Sequence, residues 1–372
     1  DILAGSQGSP FRTIAYAVQT APTSRDQGTT LSLADGSYSE KSIFILGRTI
    51  GIQGSGIYYK INATRSIGAL VTQTNTLREV FISVYNGVLS LSTVTLTVNN
   101  DPLDPLGVDL TNPSQHHFIH LYGNAGEVNI SGCKFVQHNP LLLIYSEVIY
   151  SEKGTQITFN DVSFDSLIEE KYPVINFLCD RNPVLIQNTR FNNIVIQRAT
   201  VGAVRIDYWQ TGSVSFDGCS WNWGSAGAYY SNPQYTYDEK GSAIGAAMLV
   251  QLHNLNPDTN TIEIKNSLFN SNHGENSGAI TIKGPSPESV QAVTFNTVRF
   301  ENNYCFFEHF PSNREQMLAA GIWGPNSDKS VPKQQVHGHD VFVDATGVQQ
   351  YLVGRFTRCV SYSASPQIAW RN

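Results

Sequence analysis

The chain has 372 residues, of which 15% are charged and 41% hydrophobic, and its formal net charge is −6. That balance excludes the basic footprint of a nucleic-acid-binding protein, since Lys and Arg are few and scattered. No apolar run reaches the length of a membrane-spanning helix.

The opening, DILAGSQG, has neither Met nor a basic leader, as expected after removal of a signal peptide or for a piece of a longer chain. Residues 1–28 are predicted to form a cap region around one amphipathic helix. Phe11, Ile14, Ala15 and Val18 recur at helical spacing, with Ser9 as N-cap and Pro10 at the first helical position, and Pro22 ends the run. Short strands are predicted at 30–33, 42–46 and 49–53. Thirty glycines, 17 tyrosines and 18 phenylalanines against two methionines favour strands with tight turns throughout, because aromatic and β-branched residues pack well on a pleated surface.

From 29 to 303 an eight-residue unit recurs: apolar, x, apolar, x, turn residue, small or apolar, x, aromatic. It reads VNISGCKF from Val128, ITFNDVSF from Ile157, VLIQNTRF from Val184, VSFDGCSW from Val214, IEIKNSLF from Ile262 and VTFNTVRF from Val293, with a looser LSLSTVTL from Leu89. The strict copies are spaced by 29, 27, 30, 48 and 31 residues. Alternation at the first and third positions puts two side chains on one strand face. The fifth position holds Gly132, Asp161, Asn188, Gly218, Asn266 or Thr297, where Gly, Asn and Asp suit a bend at positive φ. Inward pointing resumes at the sixth and eighth, so Phe135, Phe164, Phe191, Trp221, Phe269 and Phe300 are predicted to stack as an aromatic ladder.

A second apolar run follows most copies, at 141–144, 174–177, 202–206, 244–250 and 278–282, and nothing between them has helical periodicity. A βαβ fold is thereby excluded, and the period is too short for propeller blades. The fold class predicted is all-β: a right-handed parallel β-helix (a solenoid) with an N-terminal capping α-helix, forming a single domain over 1–372. About ten coils at ~4.8 Å each would make a rod on the order of 45–50 Å long. The 48-residue spacing marks an insertion at 223–241. Residues 304–372 are read as irregular coils, with a C-terminal end that is compatible with continuation in a longer chain.

The opening pattern GSxGSPFxTIxxAVxxA followed by LADGxYxE resembles that of right-handed β-helix proteins of the pectate-lyase-like superfold, a group that includes pectin methylesterases. The units Phe191-Asn192-Asn193 and Phe300-Glu301-Asn302-Asn303, and the segment Ser277-Gly278-Ala279-Ile280, resemble repeats of β-helical adhesins and polymorphic surface proteins. The resemblance implies the fold over most of the chain, and its enzymatic motifs do not carry over. No QDTL-like, DFIFG-like or LGRPW-like segment of the esterases is present, nor the NTD and Asp-Asp motifs of the hydrolases, nor a lyase-type calcium cluster with its arginine. His337-Gly338-His339-Asp340 matches a hydrolase motif in letters only.

The remaining candidates come from the residues themselves. Asp180, Arg205 and Asp207 lie on or beside second strands of adjacent coils, where two outward carboxylates suit acid/base work on a glycosidic bond; an ordinary surface ion pair is the preferred explanation, and no catalytic residue is assigned. Aromatic residues in and near the insertion, Tyr208, Trp209, Trp223, Tyr229, Tyr230, Tyr235 and Tyr237, are candidate ligand contacts. In His116-His117-Phe118-Ile119-His120, His117 and His120 are expected on opposite strand faces. His337 and His339, and the oxygen-rich set Asn99, Asn100, Asp101, Asp104 and Asp109, are minor metal candidates, and no metal site or cofactor is assigned. Five cysteines without CxxC spacing (Cys133, Cys179, Cys219, Cys305 and Cys359) read as buried thiols. Asn62 and Asn129 head N-x-S/T sequons and are candidate glycosylation sites.

The function expected is that of an extracellular or surface-displayed structural or adhesive β-helix. It would contact glycans or a protein surface through aromatic side loops, with self-assembly end to end or side by side as a further mode. The alternative is a polysaccharide lyase or glycoside hydrolase working in a lateral groove.

Overall fold

The computed structural model describes residues 11–60, 66–73, 80–98, 117–123, 126–137, 147–169, 172–196, 202–209, 212–226, 246–254, 261–274, 277–305, 340–344, 348–362 and 368–370. The chain is a right-handed parallel β-helix with an N-terminal helix. Three ten-stranded sheets run along it, with a short five-stranded sheet at one corner. One coil shows the winding. Val184–Gln187 lies in sheet 1, Arg190–Asn192 in sheet 2, Val195–Ile196 in the short sheet 4 and Val204–Tyr208 in sheet 3, before Val214–Asp217 re-enters sheet 1 one coil on. Strands of consecutive coils pair in parallel, so the N–H and C=O groups of the inner strands are bonded to the coils on either side.

The corner between sheets 1 and 2 explains the repeat. Thr93, Gly132, Asp161, Asn188, Gly218, Asn266, Thr297 and Arg358 all sit at positive φ, between 49° and 66°. Their amides continue the ladder: Asp161 N–H donates to Gln187 O (3.1 Å) and Asn188 N–H to Asp217 O (2.9 Å). A second left-handed corner, two residues after the aromatic position, was not anticipated. It holds Ser166, Asn193, Trp223, Ser271 and Asn302.

The aromatic ladder forms as predicted. Phe135, Phe164, Phe191, Trp221, Phe269 and Phe300 pair in register. Their rings stack at centroid distances of 4.7, 5.1, 5.3, 4.4 and 5.3 Å, with interplanar angles of 15° or less. The insertion leaves this ladder intact, since Trp221 and Phe269 face each other across it; residues 227–245 themselves lie outside the described set. Cys133, Cys179 and Cys219 are free and buried. Burial pushes the thiols of Cys133 and Cys219 up to about 11 and about 12, and that of Cys179 up as well, which leaves them inert at neutral pH.

Beside the ring stack runs an amide ladder. Asn272 Nδ2 donates to Trp221 O and to Asn303 Oδ1, and Asn303 Nδ2 donates to Phe269 O and to Asp340 Oδ1, each at 3.0 Å. Asp340 also accepts from Ser361 Oγ. Its carboxylate therefore ends a buried structural network, and His337 and His339 lie outside the described residues.

One element expectation needs correction. The helix spans Ile14–Thr20 with Thr13 as N-cap, its Oγ1 accepting from Tyr16 N–H at 3.1 Å. Ser9 and Pro10 lie outside the described residues. The carboxylate of buried Glu40 accepts from the amides of Ile14 (2.7 Å) and Ala15 (3.1 Å), satisfying helix-start donors from a distant strand. A strand at Gly36–Glu40 had no forecast. In the fourth coil the sheet 3 strand is Ile149–Ser151, whereas 141–144 lies outside the described residues. Among the described residues, no helix is long and apolar enough to cross a membrane.

Two substitutions test this account by chemical denaturation. Phe191→Ala removes a rung of the stack and is expected to cost about 3–5 kcal/mol. Thr297→Asn relieves a β-branched residue of its left-handed backbone and is expected to stabilise by about 1 kcal/mol.

Candidate functional site

Sheet 3 differs from the other sheets at the start of its strands. There two consecutive residues point inward in each coil: Phe118 and Ile119, Val148 and Ile149, Val174 and Ile175, Ala203 and Val204, Ala247 and Met248 are all buried. The alternation of faces is broken at that step. The residue before the pair therefore rejoins the residue after it on the outer face, which brings His117 beside His120 and Glu147 beside Tyr150. The two histidines are not on opposite faces, as strict alternation predicts; their rings meet edge to face at 4.8 Å.

These outward columns build one continuous strip. His117 stacks on Tyr150 (4.3 Å, 13°) and His120 on Tyr122 (3.8 Å, 17°). His120 Nε2 lies 3.0 Å from Glu152 Oε1, whose second oxygen accepts from Gly123 N–H at 2.8 Å. His117 Nδ1 is 2.9 Å from Glu147 Oε2 but outside hydrogen-bonding alignment, so that contact is electrostatic. Asn176 Nδ2 donates to Glu147 Oε1 at 3.3 Å. Farther along, Arg205 grips Asp207 with Nε at 2.6 Å and Nη2 at 3.0 Å, and His253 Nε2 is 2.9 Å from Asp207 Oδ1.

Trp209 ends its strand between two partners. His253 from the next coil stacks on the indole at 4.0 Å and 9°, and Lys153 Nζ, from two coils earlier, lies 3.3 Å from the ring centroid. Toward the N-terminal end the outer face becomes apolar. Phe44, Leu46 and Tyr85 are 57%, 61% and 54% exposed, with Tyr85 directly across from Leu46 and 6.2 Å from Tyr122.

Asp207 has both oxygens engaged by Arg205 and His253. Asp180 lies beside Trp209, whose N–H donates to Cys179 O at 3.0 Å; its nearest cation is Arg181, 3.9 Å away. Tyr208 points into the core, fully buried, its hydroxyl donating to Gly212 O at 3.2 Å, so it is no surface contact. Trp223 stands 64% exposed at the corner between sheets 2 and 4, apart from the Trp209 strip. Asn129 faces outward on sheet 1 between Ser90 and Thr158, its amide donating to Glu127 Oε1 at 2.9 Å. Tyr229, Tyr230, Tyr235, Tyr237, Asn62, His116, Asn99, Asn100, Asp101, Asp104 and Asp109 lie outside the described residues. No group of three or more His, Cys, Asp and Glu among the described residues is arranged to hold a metal ion.

Sequence reasoning missed Glu147, Tyr150, Glu152, Asn176 and His253. It also missed Glu169, which occupies an inward column of sheet 4 beside Ile196. Glu169 is fully buried with neither oxygen hydrogen-bonded. Burial first, and then the nearby Glu147 charge, push its carboxyl well above the usual range. Burial and the neighbouring His117 hold His120 down to about 4, against the opposing pull of Glu152. Tyr150 is raised by burial and then by Glu152, Glu147 and Asp207. His120 and Tyr150, both perturbed and both on the outer face of sheet 3, mark that face as the functional candidate.

The two shifts act on stability in opposite directions. Glu169 has a raised folded pKa, so its contribution is full below the unfolded value of 4.5 and is lost as pH rises beyond it. His120 has a lowered folded pKa, so its contribution is full above 6.5 and is lost as pH falls toward 4. Melting curves from pH 4 to 8 are expected to show Glu169→Gln gaining on the parent protein as pH rises, and His120→Asn gaining on it as pH falls. Parallel curves would contradict both assignments. The chain matches no protein-family model, no curated protein and no solved structure.

Proposed function

We propose that the chain is an extracellular or surface-displayed recognition β-helix whose ligand is a glycan laid along the outer face of sheet 3. The observation that carries this reading is the continuity of that face. Exposed Phe44 and Tyr85 run into Tyr122 and Tyr150, and then into the part-exposed polar groups Glu152, Arg205 and His253. Saccharides offer flat C–H faces for rings and hydroxyls for charged partners, and such contacts work best on a rigid frame. The rings and charges here brace one another across coils, so little side-chain entropy remains to be lost on binding. The resemblance of the N-terminal opening to pectate-lyase-like proteins agrees with an extracellular glycan partner.

Cleavage of the glycan is the weaker reading. Asp207 is held by a bidentate arginine and a histidine, so both of its oxygens are already engaged within the protein. Trp209, with Lys153 and His253 against its ring, likewise offers an edge rather than a stacking platform.

Binding to a panel of neutral and charged oligosaccharides, followed by calorimetry, checks the proposal. Tyr85→Ala and Phe44→Ala are each expected to weaken binding by roughly tenfold, the scale of one aromatic contact, with unchanged melting temperature. Trp223→Ala is expected to have no effect. The reverse pattern would move the ligand to the insertion side, and new reducing ends or unsaturated products would establish catalysis.

A further inference from the structure

We propose that the N-terminal helix is a self-inhibitory guard: held along the first strand of sheet 3, it keeps that strand, Ile43–Leu46, from pairing with the same strand of a second copy of this chain. The inference does not depend on the glycan reading above.

The guarded strand is unusual among the first strands. Sheets 1, 2 and 3 begin, among the described residues, with Gly28–Leu33, Gly36–Glu40 and Ile43–Leu46. The first two read GTTLSL and GSYSE, whereas the third reads IFIL, with neither a charge nor a proline. It pairs on one side only, with Ile82–Tyr85. Ile43 and Ile45 point into the core, and Phe44 and Leu46 are exposed on the outer face. Natural sheet edges are blunted by charge, by proline or by a cover, because an apolar edge recruits further strands. Here the blunting falls to the cover.

The helix packs against Ile43–Leu46, on the side where a further strand would need to lie at about 4.8 Å. Seven residues are too few to stay helical unaided, so the body of the protein holds them. Ile14, Ala17 and Val18 are buried. Glu40, just before the strand, accepts from the amides of Ile14 and Ala15 at 2.7 and 3.1 Å. Arg48, just after it, donates from Nη1 to Val18 O. The two side chains flank the guarded strand and grip the first and last turns of the helix. Hydrogen bonds to charged groups are among the stronger ones, and these two lie outside the inter-coil ladder.

Self-complementarity identifies the occupant. Ile43 N–H donates to Phe81 O and Gly47 N–H to Tyr85 O, both toward the next coil. Backbone groups of successive strand residues point to opposite sides, so Phe44 and Leu46 offer theirs to the first edge. Antiparallel pairing centred on Ile45 then sets Phe44 of one copy opposite Leu46 of the other, twice, in hydrogen-bonded pairs. A two-fold axis normal to the sheet keeps both outer faces on one side, where four apolar side chains meet without a charge among them. Such a contact closes on itself, because each copy uses the same strand.

Sedimentation of the full chain over a concentration series, comparing the parent with Glu40→Met, Arg48→Met and the double variant, tests the guard. One lost latch is expected to raise the population with a displaced helix by about tenfold, the scale of one hydrogen bond to a charged group. Both copies must open, so the dimerisation constant is expected to rise about a hundredfold. Arg48→Met, at a part-exposed position, carries the test should Glu40→Met fail to fold. Adding Phe44→Lys, at an exposed position, charges the edge and is expected to return the variants to monomers. Latch variants that fold and stay monomeric, or association that survives Phe44→Lys, would overturn the proposal. A parent chain that dimerises as tightly as the variants would overturn it as well.

Discussion

From the third coil onward the protein depends on the corner between sheets 1 and 2, where one residue enters left-handed backbone so that the next strand starts in register with the coil below. Eight described corners do so, six of them with residues other than glycine. Leaving right-handed or extended backbone there costs roughly 1–2 kcal/mol per residue, and the structure offsets it through the inter-coil hydrogen bonds that the same residues donate. The aromatic stack follows directly. Once the corners superimpose, the residue three positions later lands on its counterpart, and flat rings fill that slot from Phe135 to Phe300.

Sheet 3 obeys a different rule at its entry, and that difference makes the candidate site. Two inward residues in succession free the preceding position to rejoin the outer face. His117 and Glu147 are thereby delivered against His120, Tyr150 and Asn176. The result is a surface on which polar groups are packed closely enough to lose water, and desolvation dominates the shifts of His120 and Tyr150. The outer faces of sheets 1 and 2 carry scattered pairs such as Lys134 with Asp165, which are part exposed and contribute little.

The strip is also graded along the axis. Apolar rings dominate the first two coils, imidazole and phenol rings with glutamates the next two, and a closed Arg205–Asp207–His253 network the coils after that. Such a gradient suits an extended ligand that lies along the rod and meets different chemistry on each coil. A rigid solenoid holds those contacts at fixed spacing, which favours binding by preorganisation rather than by induced fit.

The amino-acid sequence by itself determined the coil: its period, the left-handed residue at position five, the aromatic at position eight, and the burial of Cys133 and Cys219. These are local features repeated along the chain, and repetition makes local preference legible. It could not show that Glu40 joins the Thr13 N-cap in satisfying the helix-start amides, because that partner lies in another strand. Nor could it show which outward residues meet. Glu147 and Asn176 are 29 residues apart, and Asp207 and His253 are 46 apart. Their contacts exist because parallel stacking puts neighbours one whole coil away, in columns that no short window of sequence contains. Tertiary structure alone decided that Tyr208 turns inward, that Trp209 is enclosed by Lys153 and His253, and that Glu169 is buried without a partner. Each outcome depends on what the adjacent coil places above or below it.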